Sequence, residues 1–241
     1  MESKEHRKYF DQNGKEVPSC TTIIKLMAKP SLVNWANYMG FKRIDIKNFL
    51  EKKSTYGTHC HKLFEIYFTG LMTSYPMDVK YISRDEHRKI VEKFDYIRAI
   101  FNKLHIKIIA MELPLQYSRF GGTLDLLAYN EEEDKVMLFD LKTSKQVYDS
   151  HLIQLGGYSI LLKETLDIDV DEVGIILLSK EIGDKNLINI YSRKSNWKNE
   201  EIFKKLLDIY YLMVANDTKD RKENLKNELL KKVDTNVKRI S

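Results

Sequence analysis

The segment 121–144 constrains this 241-residue chain more than any other. Two apolar runs rich in β-favouring residues, at 123–129 and 136–141, flank a short polar run, which predicts a β-hairpin. A turn centred in the polar run places Asp125 opposite Asp140. Like charges directly opposed on neighbouring strands destabilise a sheet, so we expect a cation between these two carboxylates.

Lys142 follows Asp140 by two positions and therefore points to the same face of the strand. Its ammonium relieves part of the repulsion, and a divalent metal ion would relieve the rest. Carboxylate ligands suit Mg²⁺ or Mn²⁺, ions that bind substrate phosphates. The arrangement predicts phosphodiester hydrolysis, in which Lys142 orients water or neutralises developing charge. The same short pattern also fits a salt-bridged hairpin without a catalytic role.

Composition narrows the class of protein. The chain is 43% hydrophobic and 11% aromatic, which indicates a folded globular protein long enough to bury a core. Its 40 basic and 35 acidic residues give a charge of +5, which permits a basic groove without requiring one. No apolar run approaches the ~20 residues that span a bilayer, so we expect a cytoplasmic protein with no membrane partner. Cys20 and Cys60 form no C-x-x-C pair, which argues against a zinc or iron–sulfur site built from cysteine.

A helix predicted at 55–69 adds a histidine to the candidate site. His61 and Glu65 lie one turn apart on one face, so the imidazole can reach the metal while Glu65 orients its surroundings. An ordinary, partly buried histidine is the alternative. A separate basic helix is predicted at 43–53, and Gly57 is expected where the second helix packs closely on another backbone.

Glu112 lies in the middle of an apolar strand predicted at 106–117. An acid in such a run needs a partner, so it is either a residue of the metal site, a base behind it, or an edge-strand acid facing solvent. A long amphipathic helix is also predicted at 83–104, and a continuously apolar, buried strand at 173–179.

The helix predicted at 148–164 places Gln154 and Tyr158 one turn apart, beside the pair Gly156-Gly157. Glycine inside a helix costs about 1 kcal/mol against alanine, so we expect a DNA strand or the neighbouring sheet to approach closely there. A further amphipathic helix is predicted at 199–214. Its apolar residues are expected to face the core: Ile202, Phe203, Leu206, Leu207, Ile209, Tyr210 and Met213.

Taken together, the chain resembles the PD-(D/E)xK nucleases, specifically their RecB-like branch. The matching motifs follow one another in order: Gly57-Thr58-x-x-His61, Glu112-x-Pro114, Gly122-Thr123-x-Asp125, Asp140-x-Lys142-Thr143-Ser144 and Gln154-x-x-x-Tyr158. The stretches 17–23 and 29–36 are similar to phage-encoded exonucleases near the mitochondrial genome maintenance exonuclease. Iron–sulfur members of the branch use cysteines that this chain lacks, so no iron–sulfur cluster is expected.

The resemblance implies a restriction-endonuclease-like α/β fold, with a mixed β-sheet flanked by helices. It divides the chain into an N-terminal strand and helical region (1–55), a nuclease core (56–215) and a charged C-terminal helix or tail (216–241).

The resemblance also assigns roles within the site. It makes His61, Asp125, Asp140 and the backbone carbonyl of Leu141 metal ligands, with Lys142 as the catalytic lysine and both aspartates part of the catalytic set. Further residues are expected behind the metal or against the substrate: Glu65, Glu112, Thr143, Ser144, Gln154 and Tyr158.

The function implied is a DNA exonuclease that needs Mg²⁺ or Mn²⁺ and prefers single-stranded ends, in the cytoplasm of a phage-infected host. A structure-specific endonuclease and a non-catalytic DNA-binding module are the alternatives. The partner implied is DNA, and protein partners are unknown. An imidazole ligand favours Mn²⁺, and acid should weaken metal binding because His61 must be neutral to coordinate. Four aromatic residues are candidates for stacking on bases: Phe64, Tyr67, Tyr117 and Phe120.

Overall fold

A computed structural model describes residues 7–27, 30–70, 80–180 and 187–217. Within these ranges the helices are α1 (Cys20–Ile24), α2 (Pro30–Phe41), α3 (Ile46–Thr69), α4 (Arg84–Lys103), α5 (Asp149–Leu166) and α6 (Arg193–Asp217). The strands are β1 (Tyr9–Phe10), β2 (Glu16–Val17), β3 (Ile106–Tyr117), β4 (Phe120–Asn130), β5 (Lys135–Lys142), β6 (Glu172–Leu177) and β7 (Ile188–Ser192).

The central sheet has five strands in the order β3-β4-β5-β6-β7. β5 and β6 are parallel and the other neighbours are antiparallel, so the sheet is mixed. Parallel neighbours need a long crossover, and α5 supplies it. The fold is therefore α/β, a mixed sheet flanked by helices with a helical N-terminal region, which confirms the predicted fold class and is consistent with a restriction-endonuclease-like core.

Each face of the sheet carries its own apolar core. Leu138 and Phe203 belong to the core under α1, α5 and α6, whereas Phe139 and Phe64 belong to the core under α3 and α4. Adjacent residues of β5 thus enter opposite cores, because successive side chains of a strand point to opposite faces. Burial on both faces explains why the central strands are continuously apolar in sequence.

Helix α3 differs from its prediction. The helices predicted at 43–53 and 55–69 form one continuous helix, Ile46–Thr69, which Asp45 caps by accepting from the Asn48 amide. The predicted boundary after residue 55 therefore falls inside α3. Gly57 lies mid-helix and faces the side chain of Thr143 rather than another backbone, with Thr143 Oγ1 3.6 Å from where its Cβ would stand.

Helix α6 buries a narrower stripe than predicted. Phe203 and Leu207 are buried, whereas Ile202, Ile209 and Met213 are 43%, 46% and 54% exposed. The helix contacts the core along one side only, and these three residues lie on a different side of the helix. The predicted tail at 216–241 lies almost wholly outside the described residues. Within the described chain, no helix combines the length and apolar character needed to cross a bilayer.

Candidate metal centre and active site

The β4–β5 hairpin has the predicted register but opens at the acidic residues. Leu126 pairs with Phe139 and Leu127 with Leu138, so positions that face each other are those predicted. The next pair would be Asp125 with Asp140. Instead, Oδ2 of Asp125 accepts a hydrogen bond from the backbone N–H of Leu141 at 2.7 Å. The Asp125 carboxylate thereby takes the place of a backbone carbonyl in the β4–β5 hydrogen-bond ladder. This contact holds it at the end of the hairpin.

Glu112 is the acid that lies across from Asp125 on the other side. Met111 pairs with Leu126 and Leu113 with Leu124, which places Glu112 opposite Asp125 in the β3–β4 register. Glu112 has φ +47°, in the left-handed region that side chains rarely adopt. A strained backbone of this kind costs about 1–3 kcal/mol and is concentrated at functional sites. The edge strand is thus distorted at its acidic residue.

His61 of α3 lies between these two carboxylates. Its Nδ1 atom is 3.3 Å from Asp125 Oδ1 and 3.8 Å from Glu112 Oε1. One ligand atom from each of the three residues lies within 4.8 Å of the other two, and all three residues are partly buried. One imidazole nitrogen and two carboxylate oxygens form a donor set that fits Mn²⁺ or Mg²⁺.

Asp140 and Lys142 form a separate pair beside this cluster. The Lys142 ammonium makes an ion pair with Oδ2 of Asp140, whose side chain is only 2% exposed. Both residues lie in the middle of the sheet, where Asp140 pairs with Ile175 and Lys142 with Leu177 of β6. Asp140 was expected to bind the metal with His61 and Asp125. The acid that joins those two in the structure is Glu112, and the cation nearest to Asp140 is Lys142.

The charges of the site hold one another in place. Burial would raise the pKa of Asp125, but the His61 imidazolium and Lys142 lower it below its usual value. Burial raises the pKa of Asp140, and Lys142 offsets this only in part. Burial would lower the pKa of Lys142, but Asp140 and Asp125 outweigh it, so the net pKa is raised and the amine stays an ammonium.

The pKa of His61, like that of Lys142, is set by its acidic neighbours. Burial would lower its pKa, but Asp125, Glu112 and Asp140 raise it to about 10. The imidazole is therefore the cation that neutralises the acidic cluster in this state. A metal ion would take the place of that proton.

Gln154 and Tyr158 support the site from the core. The Gln154 Nε2 donates to the Tyr158 hydroxyl at 2.8 Å, and both residues are less than 10% exposed. The Tyr158 ring packs under Gly122, where an added Cβ would lie 2.6 Å from Cε1. The pair therefore positions β4 just before Asp125, and its burial leaves it little surface for a substrate strand.

The double glycine of α5 serves helix packing rather than contact with DNA or the sheet. A Cβ on Gly156 would lie 2.7 Å from the backbone of Asn199 and Glu200, at the first turns of α6. A Cβ on Gly157 would lie 2.6 Å from Cys20 Sγ and from the Phe203 ring. The expectation of a DNA strand or the sheet at this point is wrong, because α6 and α1 occupy it.

Three predicted supporting residues have other partners. Glu65 pairs with Lys62 at 2.7 Å and lies outside the metal-capable cluster. Thr143 faces Gly57, and the Ser144 hydroxyl donates to the backbone carbonyl of Gln146 at 2.8 Å, which fixes the turn after β5.

Two of the predicted stacking aromatics are excluded by burial. Phe64 and Phe120 are each 1% exposed and belong to the two cores, so neither ring can stack on a base. Tyr67 and Tyr117 are partly buried against the same cores. These rings were candidates because they are aromatic, and aromatic character alone does not distinguish a core residue from a stacking platform.

The N-terminal hairpin contributes a residue that sequence reasoning missed. The Tyr9 hydroxyl hydrogen-bonds to Thr123 Oγ1 at 2.8 Å, two residues before Asp125. Its ring covers Gly121, where no Cβ would fit, and the Gly121 amide donates to the Pro18 carbonyl at 3.0 Å. The turn at Asn13-Gly14 predicts two short strands, one around Tyr9 and one around Val17. Nothing in the local sequence shows where they dock.

The chain has weak structural alignments with two solved proteins and no sequence match. Neither protein-family profiles nor curated protein sequences give a match to this chain. Among solved structures, a phage-related exonuclease from Haemophilus somnus 129PT aligns at 12% identity and a TM-score of 0.34, covering 84% of this chain and 96% of that one. A protein described as SSO0001 aligns at 11% identity and a TM-score of 0.21, covering 49% of this chain and 60% of that one. At these scores neither alignment assigns the chain to a family.

Proposed function

We propose that this protein is a metal-dependent deoxyribonuclease, and specifically an exonuclease that acts on single-stranded ends. One observation carries the proposal: His61, Glu112 and Asp125 form a compact donor set immediately beside the buried Asp140–Lys142 pair. Oxygen and imidazole donors next to a fixed ammonium suit chemistry on a phosphodiester, whose charge grows during cleavage. A bound Mg²⁺ or Mn²⁺ ion would supply Lewis acidity toward the phosphate and a water of lowered pKa.

The protein's own residues have distinct tasks in this scheme. His61, Glu112 and Asp125 would hold the ion, and the Leu141 N–H keeps the Asp125 carboxylate in a fixed orientation. Lys142 stays an ammonium, so it would donate a hydrogen bond to the phosphate or the attacking water rather than accept a proton. Asp140 holds that ammonium in place. The Asp140 carboxylate and the backbone carbonyl of Leu141 would be further oxygen ligands for the metal.

The experiment compares end-labelled linear single strands with covalently closed circular single strands, each incubated with Mg²⁺ or Mn²⁺. An exonuclease degrades the linear strand and leaves the circle intact. Cleavage of both substrates would indicate an endonuclease instead. Binding without metal-dependent hydrolysis of either would identify a non-catalytic DNA-binding module.

Lys142→Ala is the control for the chemistry. We expect this variant to lose cleavage of the linear strand while retaining most of its affinity for it, because Lys142 acts on the reacting phosphate. Turnover at the wild-type rate in this variant would refute the assignment of Lys142.

A further inference from the structure

A cleft of about 840 Å³ opens beside the candidate metal centre, between the N-terminal segment and β3–β4. Its volume lies within the range of roughly 300–1,000 Å³ found for ligand sites. Glu112 and Thr123 line it. Glu112 lies opposite Asp125 in the β3–β4 register, and Thr123 precedes Asp125 by two residues on β4. The cleft therefore leads directly to the residues that would hold the metal.

The cleft also carries basic side chains. Arg7, Lys8 and Lys25 line it, and Lys8 is neutralised by an ion pair with Glu16 at 2.9 Å. Arg7 and Lys25 make no ion pair with any residue in the described ranges, and both side chains are exposed. Two unneutralised cations thus line the same cleft as the acid Glu112.

Hydroxyl groups line the wall next to Lys25. Ser19 Oγ is within hydrogen-bond distance of the hydroxyls of Thr21 and Thr22, at 2.9 and 2.8 Å, and all three residues line the cleft. Hydroxyls and basic side chains are the groups that bind phosphate oxygens along a nucleic-acid backbone. A cleft that carries these groups together with Glu112 suits a strand whose phosphates bind the cations while one phosphodiester reaches the metal.

We propose that this cleft binds the substrate strand, with Arg7 and Lys25 contacting the phosphates of single-stranded nucleic acid as it approaches the metal centre. The inference rests on the proposed function, because it assigns the path by which the nuclease substrate reaches the site. The N-terminal segment is then part of the binding surface, and the Tyr9–Thr123 hydrogen bond fixes it to the strand that carries Asp125.

The test measures the affinity of an unstructured fluorescent oligothymidylate by anisotropy, in Ca²⁺ and over a series of salt concentrations. Arg7→Gln/Lys25→Gln is compared with wild type. Loss of two phosphate contacts should raise Kd about tenfold and reduce the slope of log K against log salt by about 1.4. Both side chains are exposed, so the substitutions leave the core unchanged.

Lys103→Gln is the matched control. Lys103 is an exposed lysine at the end of α4, and Glu112 lies six residues along β3 from Ile106, a strand length of about 20 Å. This variant should bind as wild type. An unchanged Kd and salt slope in Arg7→Gln/Lys25→Gln, or an equal loss in Lys103→Gln, would overturn the proposal.

A second measurement separates binding from chemistry. Hydrolysis of bis(p-nitrophenyl) phosphate needs the metal centre but no extended strand, so Arg7→Gln/Lys25→Gln should hydrolyse it at the wild-type rate. Loss of this activity would overturn the proposal, since the two residues would then act at the metal centre. If wild type hydrolyses nothing yet its affinity still depends on Arg7 and Lys25, the proposed nuclease function fails and the strand-binding cleft stands.

Discussion

The carboxylate of Asp125 is fixed by the backbone amide of Leu141, which donates to Oδ2 at 2.7 Å. Its other oxygen, Oδ1, lies 3.3 Å from His61 Nδ1. The acid is therefore oriented by the strand on one side and by α3 on the other, and little rearrangement is needed to present it to a metal ion. Several consequences of this geometry can be measured.

Asp125→Asn should abolish tight metal binding while preserving the fold. The amide oxygen can still accept from the Leu141 N–H, but the ligand charge is lost and an NH₂ group faces His61. Changing a residue that only hydrogen-bonds to a metal ligand typically lowers metal affinity 10–100-fold. Removing a ligand itself should therefore weaken Mn²⁺ binding about 100-fold or more. Isothermal titration calorimetry with Mn²⁺ measures this directly.

Glu65→Gln is the matched control for that measurement. Glu65 lies on α3 one turn after His61, but it pairs with Lys62 and stands outside the cluster. We expect its Mn²⁺ affinity to equal that of wild type. A large loss in Glu65→Gln, or none in Asp125→Asn, would contradict the proposed ligand set.

Lys142 and Asp140 should be strongly coupled in stability. Lys142→Met leaves the 2%-exposed Asp140 carboxylate without its cation, and a buried charge that loses its partner costs roughly 3–5 kcal/mol. Asp140→Asn/Lys142→Met removes both charges and should recover most of that loss. Urea unfolding of the two single variants, the double variant and wild type gives the coupling energy. Additive losses would show that the ion pair does not form.

The coupling also separates stability from catalysis. The double variant is expected to fold well and to cleave nothing, because it lacks the ammonium. Recovery of stability with recovery of cleavage would remove Lys142 from the chemistry.

Local pattern was enough to predict the strands that carry the site. Two apolar runs around a polar run predicted the β4–β5 hairpin in its observed register, and the spacing of Asp140 and Lys142 placed both on one face. These features depend on neighbouring residues along the chain. The fold class, in contrast, was predicted from the resemblance of the ordered motifs taken as a set.

The composition of the metal cluster depended on information that the local sequence lacks. Glu112 faces Asp125 because β3 pairs with β4 in one particular register and because its own backbone adopts φ +47°. Both are tertiary properties, and an isolated acid in an apolar run is compatible with several environments. The docking of Tyr9 onto Gly121, more than 100 positions away, was hidden for the same reason.

His59 should make the protein less stable in mild acid. It is 1% exposed, its Nε2 lies 3.3 Å from His87 Nδ1, and burial together with His87 lowers its pKa to about 4. His59 therefore binds a proton near pH 6.5 in the unfolded chain but only near pH 4 in the folded chain. Neutral His59 therefore makes its full contribution to the free energy of unfolding above pH 6.5. This contribution falls by up to about 3 kcal/mol as the pH drops from 6.5 to 4.

Urea unfolding at several pH values tests this against His59→Gln, which can still hydrogen-bond to His87. Removing one differential proton should lower the slope of unfolding free energy against pH by about 1.4 kcal/mol per unit in that window. Equal slopes in the two proteins would show that His59 is protonated in the folded state.

The contact between α5 and α6 depends on Gly156 having no side chain. An added Cβ would lie 2.7 Å from the backbone of Asn199 and Glu200, and backbone atoms cannot move aside as a flexible side chain can. Gly156→Ala should therefore destabilise the protein by about 2 kcal/mol or more, even though alanine is the better helix former.

Gly40→Ala is the matched control, because Gly40 is an exposed residue of α2 with nothing within 4 Å of its Cβ position. That variant should be stabilised by about 0.5–1 kcal/mol. Thermal and urea unfolding of both variants would thus show shifts of opposite sign, and a Gly156→Ala protein as stable as wild type would mean that α6 does not pack against α5 at this point.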